Sequence, residues 1–224
     1  MIHIAIDGPS GAGKSTIARL VAARLGFMYI DTGALYRSVG VAALKRGFDP
    51  GDEKKVEQML PTIRVTLGFV DGIQHVYVND EDVSVQIRLP EASMAASAVS
   101  ALPAVRRFLF GLQQDLAASH NCVMDGRDIG TVVLPDAEVK IFLTASPEVR
   151  AQRRYRELIE KGNEVNLDAL LKEIIQRDYN DSHRAVAPLK KADDAVEIDS
   201  SEMTLDEVTE QILAIVHQKI GEKA

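Results

Sequence analysis

Gly8-Pro9-Ser10-Gly11-Ala12-Gly13-Lys14-Ser15 is the stretch on which the fold of this chain turns. Glycine, four residues, glycine, lysine and a hydroxyl residue is the spacing of a phosphate-binding loop. Glycines let backbone N–H groups turn inward around phosphate oxygens, and the helix that follows adds its positive end. Lys14 can reach the β- and γ-phosphates, and Ser15 can place its hydroxyl on Mg²⁺. The flanks agree with this reading. Ile2 to Ile6 is apolar at nearly every position, as a strand buried on both faces of a parallel sheet should be. Ser15 to Leu25 reads as a helix with a stripe of Ile17, Leu20, Val21 and Leu25, stopped by Gly26. A chance glycine-rich turn would lack both flanks.

Outward from the loop, Phe27 to Ile30 reads as a second strand and Ala34 to Lys45 as a helix. Pro50, Gly51 and Pro61 then punctuate the chain. Ile63 to Val70 and Ile73 to Val78 are β-rich runs joined by Asp71-Gly72, a strong hairpin signal, and Asp82 to Val85 is a third β-prone piece. The α/β alternation resumes with a helix from Pro103 to about Ser119. Strands follow at Cys122 to Met124 and Val139 to Leu143, then an arginine-rich helix from Pro147. Gly162 and Asn163 interrupt it, and a further helix runs from Leu167 to about Asp181. A strand at Val196 to Ile198 precedes a terminal helix marked by Leu205, Val208, Ile212, Ile215 and Ile220. The expected fold class is α/β: a P-loop parallel sheet with helices on both faces and a small antiparallel β-rich insertion. The expected organisation is a core of 1–47, 101–148 and 186–224, an insertion of about 48–100, and a helical segment of about 149–185.

Composition bounds the alternatives. The chain has 224 residues, 46% hydrophobic and 26% charged, with one cysteine. Those are ordinary globular values, and Cys122 has no internal disulfide partner. No secretory signal opens the sequence, and no apolar run approaches the ~18 residues of a membrane helix. A cytoplasmic protein is expected. Net charge is −7, yet residues 150–191 carry ten Lys/Arg against seven Asp/Glu. A nucleic-acid binder is more often basic overall. The local cluster suits either a small anion held in one cleft or a solvated helix face of paired charges.

The phosphate loop does not choose among nucleotide-handling classes. No guanine-reading Asn-Lys-x-Asp segment is present, so a switch GTPase is disfavoured. A small-molecule kinase must bring a second substrate to the γ-phosphate. Arg37, Arg106, Arg127, Arg153, Arg154, Arg177 and Arg184 lie near element ends or on the arginine-rich helix. Guanidinium groups hold phosphates bidentately, although any one of these arginines could be an ordinary surface residue. No general base is conspicuous. A phosphate monoester needs none, because its second pKa of about 6 leaves its oxygen anionic at neutral pH. Asp125 follows an apolar strand, as a carboxylate that holds Mg²⁺ directly or through water would. Asp128 can accept from a base amino group, a known way to read cytosine, or can serve a turn or a salt bridge.

Four segments together resemble the bacterial cytidylate kinase family: Gly8 to Ser15, Asp31-Thr32-Gly33-Ala34-Leu35-Tyr36-Arg37, Asp125 to Val133, and Arg177 to Leu189. The resemblance runs in order from the first strand to the last helix. It implies transfer of a phosphoryl group from ATP-Mg²⁺, bound on Gly8, Pro9, Ser10, Gly11, Ala12, Gly13, Lys14, Ser15 and Thr16, to CMP or dCMP. It implies that Arg37, Arg106 and Arg127 grip the CMP phosphate region. Thr32 and Asp128 would contact cytosine, with Tyr36 packed near the base. Asp181 would accept from a ribose hydroxyl, while Arg177 and Arg184 approach the transfer zone. The resemblance implies that the helical segment of about 149–185 is a lid with its flanking helices, and Arg153 and Arg154 lie where the family has that mobile lid. Thr32 stands where some members have Ser, and Ser15 where some have Gly, so Ser15 and Thr16 both remain candidates for the metal hydroxyl. A monomer is implied. Two rivals stand beside this reading: a sibling kinase with another acceptor, and a nucleotide-binding switch that keeps the loop for folding.

Overall fold

The computed structural model describes residues 1–70, 73–160 and 162–221. In chain order the elements are β1 (His3–Asp7), α1 (Lys14–Leu25), β2 (Met28–Asp31), α2 (Thr32–Lys45), α3 (Glu53–Met59), β3 (Val65–Val70), β4 (Ile73–Val78), β5 (Glu81–Asp82), α4 (Pro90–Ser100) and α5 (Pro103–Ser119). Then come β6 (Cys122–Gly126), β7 (Val139–Thr144), α6 (Pro147–Glu160), α7 (Leu167–His183), β8 (Val196–Asp199) and α8 (Leu205–Ile220). The chain divides into two compact units: Met1–Tyr29 with His120 onward, and Ile30–Ser119.

The five-stranded sheet has the order β2-β6-β1-β7-β8. β1 pairs in parallel with β6 on one side and β7 on the other, and β7 pairs in parallel with β8. Ile4 and Ile6 are wholly buried, which explains the unbroken apolar run of this central strand. Asp7 stands opposite Gly126 in the register. The loops leaving β1 and β6 therefore start side by side at the carboxyl edge, where open parallel sheets hold ligands.

Two helix stripes differ from the sequence reading. α1 buries Ile17, Ala18, Val21 and Ala22, while Leu20 is exposed. The alanines face inward because small side chains let the helix lie close to β6. α8 buries Val208, Ile212, Leu213 and Val216 and leaves Leu205 exposed in its first turn. Its start is set by a capping box, in which Thr204 Oγ1 accepts from Glu207 N and the Glu207 carboxylate accepts from Thr204 N.

The second unit has its own apolar core, in which Leu35, Val39, Val56, Val76, Val105 and Leu109 take part. β3 and β4 form an antiparallel pair with Val65 opposite Val78 and Val70 opposite Ile73. The Asp71-Gly72 turn expected between them lies outside the described residues. β5 is shorter than expected, since Ser84 Oγ instead accepts from Val76 N. Two helices escaped the sequence reading. α3 is started by Asp52, whose side chain accepts from Lys55 N, and α4 by Pro90 in its first turn. α2 packs against α4 at Gly40, where a Cβ would stand 2.8 Å from Ala95 Cβ and 3.0 Å from the Ala95 carbonyl carbon. This close approach draws α2 into the second unit. α5 joins it through Val105 and Leu109. Both helices fall in segments that the sequence reading grouped with the core.

Candidate active site

The phosphate loop leaves β1 at Gly8, whose φ of +151° is open to glycine but not to other residues without strain. A Cβ there would lie 1.9 Å from the Leu143 carbonyl oxygen. Gly13 is left-handed and caps α1, its carbonyl accepting from Thr16 N and Ile17 N. Lys14 is buried, and its Nζ donates to Pro9 O at 2.7 Å. Burial, and next the positive charge of Arg127, push the Lys14 ammonium well below its ordinary pKa. Arg150 closes the loop from outside. Its guanidinium donates to Ser10 O at 3.0 Å and Ala145 O at 2.8 Å, and meets both oxygens of Asp178 on α7.

Ser15 Oγ donates to Asp125 Oδ2 at 2.8 Å, and the Tyr29 hydroxyl donates to Asp125 Oδ1 at 2.9 Å. The carboxylate at the end of β6 is thus brought to the first turn of α1, where Thr16 is exposed. Of the two candidate metal hydroxyls, Ser15 is the one beside Asp125.

After Gly126 the chain forms a single π-helical turn, Ile129–Val133, in which Leu134 N donates to Ile129 O. Asp7 anchors its start, accepting from Ile129 N at 2.8 Å and Gly130 N at 2.7 Å. Arg127 Nε donates to Asp181 Oδ2 at 2.9 Å. Arg184 stands 3.6 Å from Asp128 and 3.9 Å from Asp181, with its Nε donating to Ala187 O. Burial pushes the Asp181 carboxyl up. The charge and hydrogen bond of Arg127, with Arg177 and Arg184, outweigh burial and hold it below the usual carboxylate range. The surrounding arginines thus favour the ionised form of Asp181. Arg127, Asp128, Asp181 and Arg184 form one connected charge cluster, with Arg177 adding its charge to it.

In the second unit, Asp31 caps α2 by accepting from Ala34 N at 2.9 Å and pairs with Arg37 at 2.8 Å. A Cβ at Gly33 would lie 2.9 Å from Arg37 Nη1. Thr32 is buried in the first turn of α2. Arg106 is also buried and lies 5.6 Å from the Tyr36 ring centroid in a cation–π contact, donating to Ser100 O. Of the expected CMP set, Arg37 thus pairs with Asp31 and Arg106 with the Tyr36 ring. Arg153 and Arg154 bond elsewhere: Arg153 holds Ser200 O at 2.6 Å, and Arg154 pairs with Glu157 on its own helix.

Residues 4–218 match the family model described as cytidylate kinase. The cytidylate kinase of Caldicellulosiruptor bescii is 50% identical over 219 residues, covering 98% of this chain and 97% of that protein. The cytidylate kinase of Lactobacillus johnsonii is 48% identical over 219 residues, with 98% and 95% covered. The chain belongs to the cytidylate kinase family. As a cytidylate kinase family member it is an enzyme, a nucleotide kinase, and the family implies ATP and a divalent metal. Among solved structures, a shikimate kinase from Bacteroides thetaiotaomicron matches with TM-score 0.50 at 12% identity, covering 96% of this chain and 98% of that one. An uncharacterized protein from Eubacterium ventriosum matches with TM-score 0.51 at 13% identity, with 96% and 98% covered. Both speak for the fold alone.

The donor set suits a divalent cation. One carboxylate and one hydroxyl oxygen converge at Asp125 and Ser15, and no group of three His, Cys, Asp or Glu side chains forms elsewhere among the described residues. A hard cation that keeps waters and takes its remaining oxygens from phosphates fits this arrangement. No single described helix is long and apolar enough to cross a membrane. Cys122 is buried, its thiol pushed up to about 12 by burial and next by Glu138, so it serves the core.

Sequence reasoning passed over Arg150 and Asp7. Arg150 begins the face that also carries Arg153 and Arg154, and only the fold shows which of the three reaches the phosphate loop. Asp7 did leave a signal: a charged residue closing an otherwise apolar strand. Burial, opposed by the two amide hydrogen bonds, raises its pKa to about 6. Against an unfolded value near ~3.9, the folded chain binds the extra proton between these limits. The stabilisation from this group is full below ~3.9 and is lost as pH rises through 6. Thermal unfolding of Asp7→Asn and the parent chain at pH 4 and pH 7 checks this. The variant should gain on the parent by up to about 3 kcal/mol between these pH values. No relative gain would show that Asp7 does not titrate in this range.

Proposed function

We propose that this protein transfers the γ-phosphoryl group of ATP to CMP and dCMP, giving CDP and dCDP for pyrimidine nucleotide metabolism. The observation that supports this most is the connected charge cluster of Arg127, Asp128, Asp181 and Arg184, with both acids buried, tied through Asp7 to the strand that opens into the phosphate loop. A pure nucleotide switch has no use for such a cluster.

The loop from Gly8 to Thr16 holds the ATP phosphates, with Lys14 drawing charge from the β- and γ-oxygens. Mg²⁺, held by Ser15 and by Asp125 directly or through water, neutralises phosphate charge when bound. Thr32, Tyr36, Arg37, Arg106, Arg127, Asp128, Arg177, Asp181 and Arg184 contact CMP. Asp128 accepts from the cytosine amino group, and Asp181 accepts from the ribose. The acceptor phosphate enters already ionised, so the residues supply orientation and charge rather than a base. Arg177 and Arg184, with Arg153 and Arg154 on the lid of about 149–185, stabilise the charge that develops during in-line transfer. Water must be kept out, because an open site would hydrolyse ATP. The enzyme acts as a cytoplasmic monomer on these small molecules, without nucleic acid or membrane.

ADP release from ATP-Mg²⁺ with CMP, dCMP, UMP, AMP, GMP and shikimate in turn tests the reading. Fast turnover is expected only with the cytidine nucleotides. Preference for another acceptor would overturn the base assignment, and no acceptor-dependent turnover would overturn the reaction. Asp128→Ala should cut the preference for CMP over UMP by about tenfold or more. An unchanged preference would remove Asp128 from base recognition.

A further inference from the structure

We propose that Asp7 is a positioning residue for the acceptor nucleotide: from the end of the strand that feeds the phosphate loop, its carboxylate fixes the turn that carries Arg127 and Asp128. This rests on the reading of Asp128 as the base-recognising residue. A helical turn begins with amide N–H groups that lack partners within the turn. The Ile129–Val133 turn has no cap from its own Asp128 side chain. Asp7, 122 residues earlier in the chain, supplies the cap instead, one oxygen to each of Ile129 N and Gly130 N. The Asp128 carbonyl, in turn, accepts from Val132 N at 2.9 Å and Val133 N at 3.2 Å. The backbone on the carboxyl side of Asp128 is thereby pinned.

Close approach is built into the turn. A Cβ on Gly130 would lie 3.2 Å from the Lys140 side chain and 3.5 Å from Asp7 Oδ2. Asp7 itself is 5% exposed, a costly place for a carboxylate. Its two amide bonds and the charge of Lys14 offset part of that cost, while the charge of Asp128 adds to it. An apolar side chain here would leave two buried N–H groups unsatisfied. Both oxygens of the Asp7 carboxylate are engaged by the turn that carries the acceptor-side residues. A shift of the turn should therefore be read first in acceptor binding.

Asp7→Asn keeps the shape of the side chain but only one acceptor oxygen, and Asp7→Ala keeps none. Both are compared with Asp128→Ala in the full-length enzyme. KM is measured for CMP and for ATP, kcat/KM for CMP against UMP, and Kd for CMP by titration without ATP. Asp7→Asn should raise KM and Kd for CMP about tenfold, Asp7→Ala more, with KM for ATP held within about threefold and the preference for CMP reduced. CMP binding within about twofold of the parent, or CMP and ATP constants rising in step, would overturn the positioning role. An intact effect of Asp128→Ala beside unchanged Asp7 variants sinks this inference alone. An unchanged preference for CMP in Asp128→Ala sinks the base-reading assignment on which it rests. Should Asp7→Ala fail to fold, the isosteric Asp7→Asn carries the test.

Discussion

Arg184→Ala should lower kcat by about 10³ or more, the scale seen when an arginine that stabilises a transferring phosphoryl group is removed. The expectation follows from how this arginine is held. Its side chain is 8% exposed, and its Nε is fixed on the carbonyl of Ala187, a residue in the left-handed region at φ +48°. The other end of the guanidinium is aimed at Asp128 and Asp181, at 3.6 and 3.9 Å. The Ala187 contact and the two acids together hold the group in one orientation. A preoriented cation is the device that stabilises developing charge without reorganisation. Steady-state kcat with saturating CMP and ATP checks the claim, with thermal unfolding as the control for folding. A loss under about tenfold would take Arg184 out of the catalytic set. Arg184→Lys should recover little, since an ammonium cannot reproduce the planar fork.

Gly8→Ala should abolish ATP binding and cost more than about 4 kcal/mol, a fall in Tm of roughly 10 °C for a chain of this size. Two effects combine at this position. Gly8 has φ +151°, where a side chain is strained, and its Cβ would meet the Leu143 oxygen at 1.9 Å and the Leu143 carbon at 3.0 Å. The obstacle is backbone of β7, which cannot retreat without breaking its pairing with β1. Gly47→Ala separates the two effects, because Gly47 is left-handed at φ +69° with nothing within 4 Å of its Cβ position. That variant should lose only about 1–2 kcal/mol. Equal losses at both positions, or a Gly8→Ala enzyme that still binds ATP as the parent does, would show that the β7 contact is not what demands glycine.

The parts that could be read along the chain are those whose physics is local. Gly8 to Ser15 act through consecutive backbone groups, so their spacing is itself the site. The apolar run before it, the β-rich runs at 63–78 and Asp125 closing an apolar strand are similarly short-range. Arg127, Asp128, Asp181 and Arg184 were legible through the family resemblance, but their mutual contacts were not, since 54 residues separate Arg127 from its partner Asp181. α3 and α4 were missed because the prolines, glycines and β-rich runs around them dominate the local pattern. The stripe of α1 was misjudged at Leu20, because which side of a helix faces inward depends on what it packs against.

From sequence alone came the parallel α/β class, the phosphate loop and the family with its set of arginines and acids. Each rests on adjacent residues or on ordered segments. Tertiary structure decided that Ser15 rather than Thr16 lies beside Asp125, and that Arg150 rather than Arg153 or Arg154 grips the phosphate loop. It also decided that α2 packs on α4 through Gly40, and that Asp7 caps a turn 122 residues away. These choices depend on which side chain reaches a given backbone atom once the chain is folded. A hydrogen bond acts over about 3 Å, and no spacing along the chain encodes such a distance between remote residues.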